Sequence, residues 1–219
     1  MSSGDSQLDG LDSASCFQSV RMAVGDRSKL LNLLAKYSYT YKPEGVELSS
    51  GKISNHYIDC KKTVSHSESM EPMGTLLLER VTPTAVAVGG LTMGADPVAL
   101  NMVHASIKSR PLLYFSVRKE PKKHGLKRLV EGDVPEGSSV VVVDDVVTTG
   151  GSTIQAIDGC RNDGLKVVQV LVLVDREEED GLQKIKAKAG PGVPIEAMFT
   201  LREIRLEWEA QQQTLRAIA

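Results

Sequence analysis

The sequence predicts a parallel α/β sheet flanked by helices, with a small hood contributed by its N-terminal segment. Three observations predict it. Strand-sized runs such as Val140-Val141-Val142-Val143 and Val167–Val174 are almost wholly apolar, the pattern of strands covered on both faces. These runs alternate with segments of helical spacing, the order that a parallel sheet with right-handed crossovers requires. Finally, 41% of the 219 residues are hydrophobic and 25% are charged, enough apolar side chain to fill one ordinary core.

The elements follow in order. Residues 1–25 are rich in Ser, Gly and Asp and read as a flexible tail. Residues 26–219 read as one domain, with the hood over 26–65, an α/β core over 66–200 and a C-terminal helix over 201–219. Asp26 is placed to cap a helix through Ser28–Ala35, whose leucines recur at helical spacing. Short strands at Val46–Leu48 and His56–Cys60 flank the turn Ser49-Ser50-Gly51-Lys52. A helix over Glu68–Glu79 precedes the strand Ala85–Val88, which ends in Gly89-Gly90. A helix over Pro97–Ser106 and a strand over Leu112–Val117 lead into polar, basic sequence from Arg118 to Arg128. After the strand Val140–Val143 come a helix over Ser152–Arg161 and the strand Val167–Val174. A helix over Gly181–Ala189 and a strand over Ile195–Thr200 precede the final helix.

Charge and composition exclude several classes of function. A net charge of -2 gives no general attraction to nucleic acid or to an anionic membrane. Cys16, Cys60 and Cys160 lack metal-type spacing, and their odd number argues against a disulfide framework. The opening MSSGDSQLDGLDSAS lacks the basic and apolar regions of a signal peptide. No apolar run approaches the roughly 18 residues needed to span a bilayer. A cytoplasmic protein is expected.

The most informative stretch is VVVVDDVVTTGGST, Val140 to Thr153. In an open α/β sheet, ligands bind beyond the carboxyl ends of the strands, and Asp144 and Asp145 stand at that edge. Thr148, Thr149, Gly150, Gly151, Ser152 and Thr153 then lead into a helix. Glycines let backbone N–H groups converge on an anion, hydroxyls add donors, and the helix N-terminus adds partial positive charge. The loop is therefore a phosphate cradle. It carries neither the GKS/GKT ending of the nucleoside-triphosphate loop nor GxGxxG. Two carboxylates beside a phosphate would repel it unless donors or positive charge intervene. Ribose hydroxyls meet that need, as does a sugar developing positive charge at C1.

VRKEPKKHGLKR, Val117 to Arg128, crowds seven cationic or titratable side chains around Glu120. Such a run is ordinarily a solvated face or a nucleic-acid patch. With only 4% aromatic residues, and with Pro121 and Gly125 interrupting any basic helix, a lid over a pyrophosphate leaving group fits better. A second strand–loop–helix unit, VGGLTMGADPVAL, offers backbone N–H groups near Leu91, Thr92 and Met93 for the same pyrophosphate. Arg176, at the end of the strand Val167–Val174, suits a planar carboxylate acceptor.

The Val140–Thr153 string resembles the phosphoribosyl pyrophosphate motif of the type I phosphoribosyltransferases. RKEPKKHG resembles the catalytic loop of the orotate phosphoribosyltransferases within that family. LSSGKISNHYIDC, Leu48 to Cys60, resembles their hood segment, although Ser49 stands where well-known bacterial members have lysine and Asn55 where proline is usual. Met93 likewise replaces a frequent lysine. The resemblance implies that Asp144 and Asp145 bind the ribose, and that Val146, Val147 and Thr148 to Ser152 hold the 5-phosphate. It implies that Arg118, Lys119, Lys122 and His124 contact the donor's phosphates, with Lys122, His124 and the two acids taking part in catalysis. Lys52, Tyr57, Ile58, Thr148 and Arg176 would adjoin the acceptor base, orotate. It also implies Mg²⁺ carried mainly by donor oxygens and water, and a homodimer in which the catalytic loop serves the neighbouring subunit. Transfer to another nucleobase, and a regulator that binds the donor without chemistry, remain alternatives at this stage.

Overall fold

A computed structural model describes residues 25–48, 51–121 and 128–218. Residues 25–33 form helix α1, which loosens into a π-turn over Leu34–Ser38. Strands β1 (Tyr39–Glu47) and β2 (Ile53–Ile58) form an antiparallel hairpin. Helices α2 (Cys60–Val64) and α3 (Met70–Leu78) link it to the core. There, β3 (Ala87–Leu91), α4 (Ala95–Ser106), β4 (Leu113–Val117) and the short β5 (Val130–Glu131) are followed by β6 (Ser139–Val147) and α5 (Gly151–Asn162). The chain ends with β7 (Lys166–Asp175), α6 (Gly181–Ala189), β8 (Ile195–Thr200) and α7 (Leu201–Ile218).

The six-stranded sheet has the order β5-β4-β3-β6-β7-β8, parallel throughout except for β5, which pairs antiparallel with β4. Both faces are covered, which explains the unbroken valines of β6. Val141 and Val143 pack into one apolar layer with α3 and α4, while Val140 and Val142 pack into the other with α5. From β3 the chain steps to β4 on one side and later to β6 on the other, so β3 and β6 flank the switch point where such sheets bind ligands. Pairing between them stops at Gly89↔Val142, whereas β6 stays paired with β7 as far as Val147↔Asp175. The carboxyl ends of β3 and β6 therefore part, and a crevice opens between them.

Several expected boundaries move. The second hood strand covers Ile53–Ile58 and not His56–Cys60, because Asp59 caps α2 and Cys60 opens it. Asp26 lies within α1 and is no cap, because the helix already includes residue 25. Strand β1 begins at Tyr39 because a bulge between Tyr41 and Val46 carries it past Pro43 and Gly45. The Asn55 side-chain amide staples that bulge by donating to the carbonyls of Lys42 (2.9 Å) and Pro43 (2.8 Å). Gly89 and Gly90 lie inside β3, where carbonyls of Phe115 and Val143 approach too closely for a Cβ. Asp144 and Asp145 belong to β6 itself, with Asp144 paired to Val172.

Candidate active site

The two acids sit where β6 leaves β3. They are only 4% and 8% exposed, yet both line a cleft of about 430 Å³. Asp144 accepts from the Thr153 hydroxyl at 2.6 Å and from the Asp145 N–H at 3.0 Å. Asp145 accepts from the Val146 N–H at 3.0 Å and lies 3.7 Å from the Lys61 ammonium. Burial, with the neighbouring Asp145 carboxylate second, pushes Asp144 up to about 7. Burial also raises Asp145, against the opposing pull of Lys61. Groups held in this way gain from a ligand that donates hydrogen bonds to the charged form.

An adjoining depression of about 70 Å³ is lined by Asp144 and by Val146 through Ser152. Its floor is the tight turn into α5, made possible by Gly150. That residue has φ +79, and a Cβ there would stand 2.8 Å from the Gly181 carbonyl. The first-turn N–H groups of α5 have no partner within the helix, so they and the Thr149 and Ser152 hydroxyls suit an anion. Gly151 N–H makes a long bond, 3.4 Å, to the Thr149 hydroxyl. Val147 is buried through its side chain, and its carbonyl accepts from Arg176 N–H at 3.0 Å.

Across the cleft, the turn between β3 and α4 contributes Leu91, Thr92, Met93 and Gly94, with a cis peptide bond between Thr92 and Met93. Gly94 is tucked against the acids, since a Cβ there would collide with Asp145 Oδ1. The expectation of free backbone N–H groups here needs correction at Thr92, whose N–H is spent on the Val117 carbonyl at 2.9 Å. The Thr92 hydroxyl is likewise committed to Asp96 at 2.6 Å.

The basic segment connects β4 to β5, and its stem is pinned. Arg118 N–H donates to Leu129 at 2.9 Å, and its guanidinium lies 3.5 Å from Glu131. The Lys119 carbonyl accepts from the Gln155 amide on α5 at 2.7 Å, which places Lys119 beside the acids as a lining residue of the cleft. Arg118 instead faces a separate depression beside Glu131. Lys122 and His124 lie outside the described residues.

Arg176 is 5% exposed. Its guanidinium joins Glu178 (3.2 and 3.3 Å) to the His56 carbonyl of the hood (3.1 Å). It is a buried bridge, not the surface ion pair that its acidic neighbours suggest. Lys52 pairs with Glu179 on the loop after β7. Tyr57 is half-buried on β2 opposite Thr40. Ile58 is buried in the main core and lines neither depression. Sequence reasoning missed Lys61 and Asp59. Asp59 caps α2 by accepting the Lys61 N–H at 3.2 Å, a cap-plus-helix signal that was readable in Asp59-Cys60-Lys61-Lys62.

Residues 89–198 match the family described as "Phosphoribosyl transferase domain". The chain is 41% identical over 186 residues to an orotate phosphoribosyltransferase of Aquifex aeolicus, covering 84% of this chain and 100% of that one. It is 38% identical over 174 residues to one from Methanocaldococcus jannaschii, covering 78% and 96%. Among solved structures, the orotate phosphoribosyltransferase of Mycobacterium tuberculosis is similar with a TM-score of 0.71 at 35% identity, covering 82% and 98%. The same enzyme in complex with 5-phospho-α-D-ribosyl 1-diphosphate is similar with a TM-score of 0.68 at 32% identity, covering 82% and 99%.

Proposed function

The chain belongs to the orotate phosphoribosyltransferases, a branch of the phosphoribosyltransferase family, and from that premise we propose how its cleft performs their reaction. The enzyme transfers the phosphoribosyl group of 5-phosphoribosyl 1-pyrophosphate to orotate in pyrimidine biosynthesis. The observation that carries this reading is the adjacency of the Asp144–Asp145 cleft and the Val146–Ser152 cradle. A ribose and a phosphate one bond apart need such neighbouring sites.

In this reading the 5-phosphate seats over the α5 N-terminus and the ribose hydroxyls donate to Asp144 and Asp145. Donation to the charged carboxylates draws their raised pKa values back down. As the C1–oxygen bond breaks, pyrophosphate leaves with the bonding pair, positive charge grows on the ribose, and the two anions stabilise it. Orotate N1 then forms the new bond to C1 as its proton passes to the departing pyrophosphate, giving orotidine 5-monophosphate. Arg176 recognises the acceptor, its charge already set at the end of β7 against the hood, with Lys52, Tyr57 and Thr148 nearby. Lys119, and Lys122 and His124 beyond it, meet the pyrophosphate when the basic segment closes and excludes water. A homodimer in which Lys119 stays at its own cleft while Lys122 and His124 serve the neighbouring subunit's is part of the proposal, as is a cytoplasmic location. Among the described residues no helix is long and apolar enough to cross a membrane.

Among the described residues no group of three or more His, Cys, Asp or Glu is placed to hold a metal. Magnesium would therefore be kept mainly by donor oxygens and water, with Asp144 and Asp145 as the residues able to help hold it, and it would offset charge on the pyrophosphate. The test is a panel in which the donor and Mg²⁺ are supplied with orotate, uracil, hypoxanthine or adenine. Product is expected with orotate. Turnover of another base with none of orotate would overturn the acceptor assignment.

A further inference from the structure

The acid cleft has a wall that the donor-binding motif does not supply. Helix α2 begins directly after β2, and its cap, Asp59, fixes the first turn so that Lys61 reaches over the crevice. The ammonium lies 3.2 Å from Asp59 and 3.7 Å from Asp145, and Lys61 lines the cleft together with Leu91 through Gly94. Opposite it, Met93 carries no charge and Thr92 has given its N–H and hydroxyl to the protein. Among the described residues, Lys61 and Lys119 are the cations lining this cleft. A donor bearing several negative charges has to enter a space already holding two carboxylates, so its pyrophosphate needs cations away from the acids.

We infer that Lys61 is a donor-contacting residue: when the ribose hydroxyls take Asp145, the Lys61 ammonium turns to the pyrophosphate. This rests on the donor-binding reading above. The exchange costs little. Lys61 is 57% exposed through its side chain and its contact with Asp145 is long, so the ion pair it gives up is weak. Its pairing with Asp59 stays available to hold the stem of the side chain in place. The hood thereby takes part in gripping the donor as well as in covering the acceptor. Lys62, the next residue, is exposed and lines neither depression.

The test compares Lys61→Met, Lys61→Arg and Lys62→Met with the parent chain, by steady-state kinetics and by calorimetric titration with magnesium pyrophosphate. Loss of one charge-assisted contact corresponds to about a ten- to a hundredfold loss of affinity. Lys61→Met is expected to raise KM for the donor by that factor and to weaken pyrophosphate binding in parallel, leaving KM for orotate within about twofold. Lys61→Arg should recover most of the loss, and Lys62→Met should match the parent. Unchanged pyrophosphate affinity in Lys61→Met, equal rises in both KM values, or the same defect in Lys62→Met would overturn the inference. Should Lys61→Met not fold, Lys61→Gln is titrated against Lys61→Arg with the same expectations. A parent that turns over no orotate but binds pyrophosphate in a Lys61-dependent way would sink the acceptor assignment and support this one.

Discussion

The wall of the cleft built by β6 and α5 is organised by residues within a few positions of one another, whereas the hood wall is held by bonds between distant parts of the chain. On the first wall, Asp144 bonds to Asp145 and Thr153, and the turn at Gly150 leads straight into the helix that completes the cradle. On the second, Arg176 reaches His56 across 120 positions, Lys52 meets Glu179, and Lys61 meets Asp145. A donor phosphate can thus be gripped by a unit that forms as soon as one strand and one helix pack. On the proposed reading, acceptor recognition needs the hood to be docked. Apart from the Lys61 contact with the donor, which hangs on α2 and its Asp59 cap rather than on Arg176, the two walls should fail separately.

The largest separation is expected from Arg176→Ala. Removing a buried guanidinium takes away its contact with the hood and, on the proposed reading, its contact with the acceptor, at about 1.5–3 kcal/mol for a charge-assisted pair. KM for orotate should rise on the order of a hundredfold, with a lower Tm, while affinity for the donor measured by calorimetry stays near that of the parent. A matching fall in donor affinity would show that the walls are not independent.

Asp144→Asn sharpens the comparison from the other wall. Burial holds the folded-state pKa of Asp144 up at about 7, above the ordinary aspartate value of 3.8. The fold therefore holds this proton more tightly than the unfolded chain does, and stability falls as pH rises from about 4 to about 7. Asn carries no charge to bury. Without ligand, Asp144→Asn should melt higher than the parent at pH 8, on the order of 5 °C, with the gap closing toward pH 4. Its turnover should be severely reduced. A gap that widens toward low pH would contradict the assignment of burial as the cause.

The smallest effect belongs to Lys52→Met. The ion pair with Glu179 is at the surface, where such pairs contribute little. Tm should shift by less than about 1 °C and KM for the donor by less than about twofold. A large change in either would mean that this pair, more than Arg176, docks the hood.

The same contrast explains what could be read from the sequence. The β6–α5 wall was legible because its valines, acids, hydroxyls and glycines are contiguous, and each residue type has one dominant use at a strand edge. Arg176 was legible as a cation at the end of a strand. Its partners were not, because nothing local announces that the His56 carbonyl folds over it. Lys61 went unnoticed because a lysine two positions after a cap reads as solvated surface until the hood closes on β6. Strand β1 looked short because Pro43 and Gly45 interrupt its alternation, and only the Asn55 staple shows that the strand continues. Commitment of Thr92 N–H to Val117 depends on pairing with β4, which a reading of the turn alone does not supply.

The most direct test is a crystal structure of the chain with 5-phosphoribosyl 1-pyrophosphate and magnesium bound. The ribose hydroxyls should lie about 3 Å from the Asp144 and Asp145 oxygens, with the 5-phosphate over the N–H groups of Thr149 to Ser152. A donor whose 5-phosphate sits elsewhere, with the acids still facing only Thr153 and Lys61, would contradict the account.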